Sequence, residues 1–218
     1  MYTIVPTLFD ATLSDIGFPP HTVPAQLADQ LFTFFEQHPL FDWKNSNNGC
    51  EGRADAVCLM LEEWDIPCYK AWVFSGAYLK NHVGLLTKNW KYHVAPVLPV
   101  LSNGQVIYYV LDPATANTLQ PIDEWAAAIT HLPHSYHFMR QAHWYIFPHK
   151  NIATAKWNMR NRQNRKWMIQ SLAGINGLTP AGKARLVFNK PLLKKTLLLF
   201  EEAKKQNPLP ALRAMQSR

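Results

Sequence analysis

Residues 91–112, KYHVAPVLPVLSNGQVIYYVLD, narrow the choice of fold more than any other stretch. The first half alternates: Tyr92, Val94, Pro96 and Leu98 share one face, and His93, Ala95, Val97 and Pro99 the other. SNGQ supplies a tight turn, and residues 105–112 read as the returning strand. A turn centred on Asn103–Gly104 pairs position 93 near residue 114. Asp112 then stands one or two positions from direct opposition to His93. An antiparallel sheet is therefore part of any fold this chain adopts.

Helical patterns surround the hairpin. TVPAQLADQLFTFFEQH reads as a helix that Thr22 can cap, with Pro24 early and Leu27, Leu31, Phe34 and Phe35 as its buried stripe. After a loop, NNGCEGRADAVCLMLEEW (47–64) opens a second helix, in which Ala54, Val57, Cys58, Leu61 and Trp64 recur at helical spacing. CYKAWVFS (68–75) is strand-like, PIDEWAAAITHL a helix, and HWYIFP (143–148) a candidate further strand. From Ala153 the pattern is helical and basic. The expected class is α+β, a helix carrying Cys50 packed on an antiparallel sheet.

Charge divides the chain. Residues 1–149 carry 7 basic and 13 acidic side chains, net −6, and residues 150–218 carry 15 and 2, net +13. This places a core domain at 1–150 and a basic helical extension at 151–218. With 218 residues, 48% of them hydrophobic, the chain suits one well-packed domain with an appendage. No apolar run approaches the ~18–20 residues of a membrane span. The N-terminus lacks the basic start and apolar core of a secretory signal, so the expectation is a protein cytoplasmic as synthesised, released or delivered without a Sec leader.

Three cysteines, Cys50, Cys58 and Cys68, are too few and odd in number for a disulfide scaffold. On one helix Cys50 and Cys58 lie ~12 Å apart, too far to bridge. Cys58 falls in the apolar stripe and Cys68 precedes a strand, so both read as structural thiols. No C-x-x-C pair suggests zinc. Cys50 is different, because it opens a helix, where unpaired N–H groups and the positive end of the dipole favour a thiolate and can hold an oxyanion.

A cysteine nucleophile needs a base, and the base needs an orienting partner. Of nine histidines, the hairpin selects His93, with Asp112 as the third group. The chain order Cys50, His93, Asp112, with the cysteine on a helix and the others on adjacent strands, is the arrangement of papain-like and transglutaminase-like cores.

These residues resemble a known family. NNGCEGRA, then WKYHVAPV, then VLDP is similar to the G-C-x-x-R-A, W-x-x-H-V-A-P and V-x-D-P segments of the bacterial protein-glutaminases, which deamidate protein-bound glutamine. The later PIDEW is similar to that family's proline-plus-tryptophan helix. The likeness spans about residues 43–126. It implies Cys50, His93 and Asp112 as the triad and a thioester intermediate with release of ammonia. No metal or organic cofactor is implied, and the partner is a protein substrate with an exposed glutamine.

Trp90, Asn48 and Arg53 belong to or adjoin the matching motifs and are the candidate substrate-binding residues. Trp90 suits a wall of the glutamine slot or ordinary packing. Asn48, like Asn47, suits an oxyanion donor or a turn, and Arg53 a substrate contact or a buried charge. The chain departs from the family pattern in showing no leader or long inhibitory pro-segment and in its basic tail. This raises the expectation of a bacterial effector or toxin, with an inhibitor or immunity protein as a further partner. The same triad also serves transglutaminases and cysteine (iso)peptidases, and a dead fold acting through its tail is the rival from another class.

Two signals carry less. His131, His134, His137, His143 and His149 do not share one face, and no carboxylate is interleaved, so metal binding is not expected. The tail KWNMRNRQNRKW reads first as a solvated helix face, then as a docking surface, and nucleic acid or membrane is not expected.

Overall fold

A computed structural model describes residues 22–44, 49–74, 92–130, 136–142, 162–175 and 180–207. Six strands form one sheet: β1 (Val23–Pro24), β2 (Tyr69–Phe74), β3 (Tyr92–Ser102), β4 (Gln105–Val110), β5 (Gln120–Pro121) and β6 (Tyr136–Gln141). Their order is β5-β4-β3-β2-β6, all antiparallel, with β1 lying parallel to β3 at Val100–Leu101. The helices are α1 (Ala25–Gln37), α2 (Cys50–Glu63), α3 (Ile122–Ile129), α4 (Arg162–Leu172), α5 (Pro180–Phe188) and α6 (Lys190–Lys205).

The expected hairpin forms in the expected register. Ser102 pairs with Gln105 and Val97 with Val110, so the same register carried on sets position 93 opposite 114. Asn103 and Gly104, both at positive φ, make the two-residue turn whose twist suits antiparallel strands. The two faces of β3 also separate as the alternation requires. Val94, Leu98 and Val100 pack on the α2 side, and Ala95 and Val97 pack with Trp125, Ala126 and Ile129 of the α3 side.

Two helices differ from expectation. In α1 the buried residues are Ala28, Leu31, Phe32 and Phe35, while Leu27 and Phe34 are only partly buried. Thr22 does not cap it. Val23 and Pro24 are drawn out as a strand beside β3, and Pro24 occupies the cap position with no side-chain bond. In α2 burial extends far beyond one stripe, to Gly52, Arg53, Asp55, Ala56 and Met60 as well. The reason lies in the basic C-terminal region: Met168 and Ile169 of α4 and Phe200 and Ala203 of α6 join the core formed by α1, α2 and the sheet. A helix sandwiched in this way is wrapped by apolar neighbours on several sides. The strand β6, absent from the sequence reading, covers the outer edge of β2, and residues 143–148 lie outside the described residues. No helix among the described residues is long and apolar enough to cross a membrane.

One charged contact crosses this core. Lys70 of β2 is ion-paired with Asp55 of α2, and both are almost fully buried. The Asp55 carboxyl is raised to about 6, because burial, with a smaller push from Glu51, outweighs the downward pull of Lys70. Lys70→Met leaves that carboxylate without its paired cation, and the expected cost is about 3–5 kcal/mol. Because the folded-state pKa of Asp55 lies above its unfolded value, ionisation works against the folded state as pH rises through it. The loss in Lys70→Met is therefore larger at pH 8 than at pH 5, and urea unfolding at the two pH values measures it.

Candidate active site

The first turn of α2 is fixed from two sides. Gly49, at φ 109°, takes the left-handed conformation that turns the chain into the helix. Its carbonyl accepts from the Arg53 N–H at 2.8 Å. From above, α4 rests directly on the turn, so that a Cβ at Gly52 would stand 2.5 Å from the Ser171 Cβ. The Arg53 side chain folds beneath it, 5% exposed, with Nη1 donating to the Asp42 carbonyl at 3.4 Å and the guanidinium over the Trp43 ring.

Cys50, on this turn, is 8% exposed and packs against Ala54, Trp72 and Val94, with Phe74 and Tyr92 beside them. The helix terminus alone would favour a thiolate, but the resting sulfur is held as a thiol. Burial pushes its pKa well up, the Glu51 charge adds to this, and the thiol donates to Glu51 Oε2 at 3.2 Å. Arg53 and the Val94 backbone N–H, which donates to the sulfur, pull the other way without overcoming these effects.

The Val94 contact follows from where β4 stops. Leu111 N–H donates to the Pro96 carbonyl, so even-numbered residues of β3 direct their backbone groups towards β4. Carried one step on, the ladder would set Val94 against Pro113, which has no N–H to offer. The chain curls away instead, with the Asp112 carbonyl accepting from Thr115 N–H at 3.0 Å and Ala116 N–H at 3.1 Å. Past the end of β4 the backbone of β3 is thus open to the Cys50 sulfur.

The same curl delivers Asp112 to His93. His93 Nε2 and Asp112 Oδ2 are 2.8 Å apart, and both residues are buried. Oδ2 also accepts from Thr115 Oγ1 at 2.5 Å and from Trp125 Nε1 at 3.1 Å. Burial alone would raise the Asp112 pKa. The charge of His93, its hydrogen bond and those from Thr115 and Trp125 outweigh burial and hold the carboxyl below its ordinary value. The Trp125 ring also lies alongside the imidazole, with centroids 5.8 Å apart.

Of the residues singled out by sequence, the structure joins His93 to Asp112 and sets Cys50 on the residue after His93. It turns Arg53 inward, under the Cys50 turn. Asn48 and Trp90 lie outside the described residues, as do Asn47, His131, His134, His143 and His149. His137 is described, and its Nε2 meets Asp123 Oδ1 at 2.8 Å. Among the described residues no group of three metal-ligating side chains comes together. Sequence reasoning passed over Thr115, Trp125 and Glu51. The first stands three residues beyond Asp112, a spacing at which a hydroxyl reaches back across a turn. The tryptophan was noticed in PIDEW but given no role.

Known proteins resemble the chain in sequence model and in fold. Residues 28–129 match the model of a family described as Glutaminase. That match spans a little under half of the chain, and it covers Cys50, His93 and Asp112. No curated protein matches it in sequence. The fold is similar to a crystal structure of protein-glutaminase, at 16% identity and a TM-score of 0.55, covering 72% of this chain and 88% of that one. The NMR structure of protein-glutaminase from Chryseobacterium proteolyticum is similar at 15% identity and a TM-score of 0.53, over 70% and 85% of the two chains. A crystal structure of pro-protein-glutaminase is similar at 17% and 0.55, over 75% of this chain and 62% of that one. At such identities the structural likeness speaks for the fold, and the residue roles in this chain have to be argued from its own site.

Glu51 gives the site a direct handle. Glu51→Gln removes the charge that helps to keep Cys50 protonated, so alkylation by iodoacetamide is expected to speed up at pH 7–8. Its pH profile shifts to lower pH. Stopped-flow or mass-spectrometric alkylation of wild type and variant checks it, and an unmoved profile would contradict the assigned contact.

Proposed function

We propose that this protein-glutaminase relative hydrolyses the side-chain amide of protein-bound glutamine, with Cys50 as nucleophile, His93 as general base and acid, and Asp112 as the group that orients the imidazole. The observation that carries the reading is the buried His93–Asp112 pair, with the Cys50 sulfur resting on the next residue of the same strand. Asp112, ionised and held by Thr115 and Trp125, takes the His93 Nε2–H. That hydrogen bond selects the tautomer whose Nδ1 carries the lone pair.

The cycle then runs in two halves. The Cys50 proton passes to His93, and the sulfur attacks the carboxamide carbon. The oxyanion is stabilised by backbone N–H groups at the start of α2, including that of Cys50. His93 returns its proton to the amide nitrogen, the C–N bond breaks and ammonia leaves, with the acyl group held as a thioester. His93 next takes a proton from water. The hydroxide attacks the thioester, the C–S bond breaks, and the proton restores the Cys50 thiol beside a glutamate side chain. A sulfur that rests protonated suits this order of events, because the nucleophile is made as it is used.

We extend the proposal to use as an effector or toxin acting on proteins of a recipient cell, which the activity class supports. Production of the wild type inside such a cell, with Cys50→Ala as control, tests that extension through growth and through the masses of host proteins.

The chemistry is tested by ammonia release and intact-mass analysis on a glutamine-containing peptide. The expected result is a gain of about one dalton per site, as NH₂ is replaced by OH, with Cys50→Ala inactive and His93→Ala or Asp112→Asn down about 10³-fold or more. Trp125→Phe removes one bond to ionised Asp112, so the Asp112 pKa rises and the acid limb of the rate profile moves to higher pH. Crosslinked or cleaved products would keep the triad and replace the reaction.

A further inference from the structure

Between Trp125 and Phe200 the sequence contains no aspartate or glutamate. Within that span, α5 and α6 expose apolar groups that a merely solvated basic helix would not. Of the six large hydrophobic side chains exposed among the described residues, five lie between Val187 and Leu198, with Phe188 82% and Val187 62% exposed. The inner stripe of α6 is spent on the core through Thr196, Phe200 and Ala203, with Leu193 packed against it. Helical spacing then puts Lys194 and Leu198 opposite this stripe, with Lys190 and Leu197 on its flank and Glu202 beside Leu198. Val187 and Phe188 end α5 immediately before it.

This surface wants an occupant that is both anionic and apolar. A second copy would set cation against cation. Nucleic acid would supply phosphates but little to cover two leucines and a phenylalanine, because such interfaces are unusually polar. The last turn of α6 meets the C-terminal end of α2, where Trp64 Nε1 donates to the Lys204 carbonyl at 2.7 Å, so this helix is anchored on the one that carries Cys50. Phe200 and Ala203 also share one core with Met168 and Ile169 of α4, whose Ser171 sits on the Cys50 turn.

We propose that the outer face of α6, with Val187 and Phe188, is a docking surface for acidic protein substrates, on which an acidic and apolar segment is held while a neighbouring glutamine reaches Cys50. The proposal rests on the deamidase reading and narrows its substrate class. Lys190 and Lys194 steer the encounter electrostatically, and Phe188, Leu197 and Leu198 supply area that a purely charged contact lacks.

Reduced, S-methylated lysozyme before and after lysine succinylation offers the same glutamines on a cationic and an anionic chain. Wild type at low salt is expected to favour the succinylated form in kcat/KM by about five- to tenfold, and to lose that preference as salt is raised. Lys190→Glu with Lys194→Glu should abolish or invert the preference, and Phe188→Ser with Leu198→Ser should weaken it. Both variants should turn over a blocked glutamine dipeptide within about twofold of wild type, because a substrate that small does not reach the surface. Fluorescence anisotropy of the two labelled lysozyme forms reads docking without turnover. It therefore separates failure of the docking proposal from failure of deamidation, which would show as wild type inactive on the dipeptide. An unchanged preference in the double lysine variant overturns the proposal. So does equal binding of the two lysozyme forms together with lysine-dependent binding to phosphatidylserine vesicles, which would make this a membrane surface.

Discussion

The early end of β4 is the constraint on which the site depends. Pro113 has no donor to continue the ladder, and Pro96, opposite Leu111, offers only its carbonyl. Pairing therefore stops short of the N-terminal end of β3, and two things become available there. The backbone of β3 can receive a group from the helix side, and the chain can fold Asp112 onto the other side. Val94, which packs with Cys50, and His93, which pairs with Asp112, stand on opposite faces of β3 at the end where its pairing with β4 has stopped.

The second dependence is on the basic C-terminal helices. They carry ten of the 22 basic residues, yet they finish the core. The close approach at Gly52 is made by Ser171 of α4, Met168 and Ile169 of that helix enter the core, and Phe200 and Ala203 extend the same apolar cluster. A surplus of surface lysines says little about whether the inner face of a helix is structural. In α6 both roles share one helix: one stripe is buried and the opposite face is charged and apolar at once.

Much of the site was legible because its determinants are local. The Asn103–Gly104 turn fixes the hairpin register, and the register fixes the relation of His93 to Asp112. Strict alternation sorts Val94 from Ala95, and Gly49 before Cys50 marks the helix entrance. What was not legible depends on distant segments. The width of the buried face of α2 is set by helices more than a hundred residues later in the chain. The pairing of Val23–Pro24 with β3 removes the cap expected from Thr22, and the partners of Asp112 come from a turn and from a helix beyond it. The state of the Cys50 thiol was read too simply, because a helix terminus is one influence among several and burial beside Glu51 exceeds it here.

That resting thiol has a consequence outside catalysis. Peroxides and stray electrophiles react with the thiolate, so a sulfur stored with its proton, nearly enclosed and beside a carboxylate, ages slowly. The protein gives up some readiness of the nucleophile and gains shelf life between its synthesis and its first encounter with a substrate.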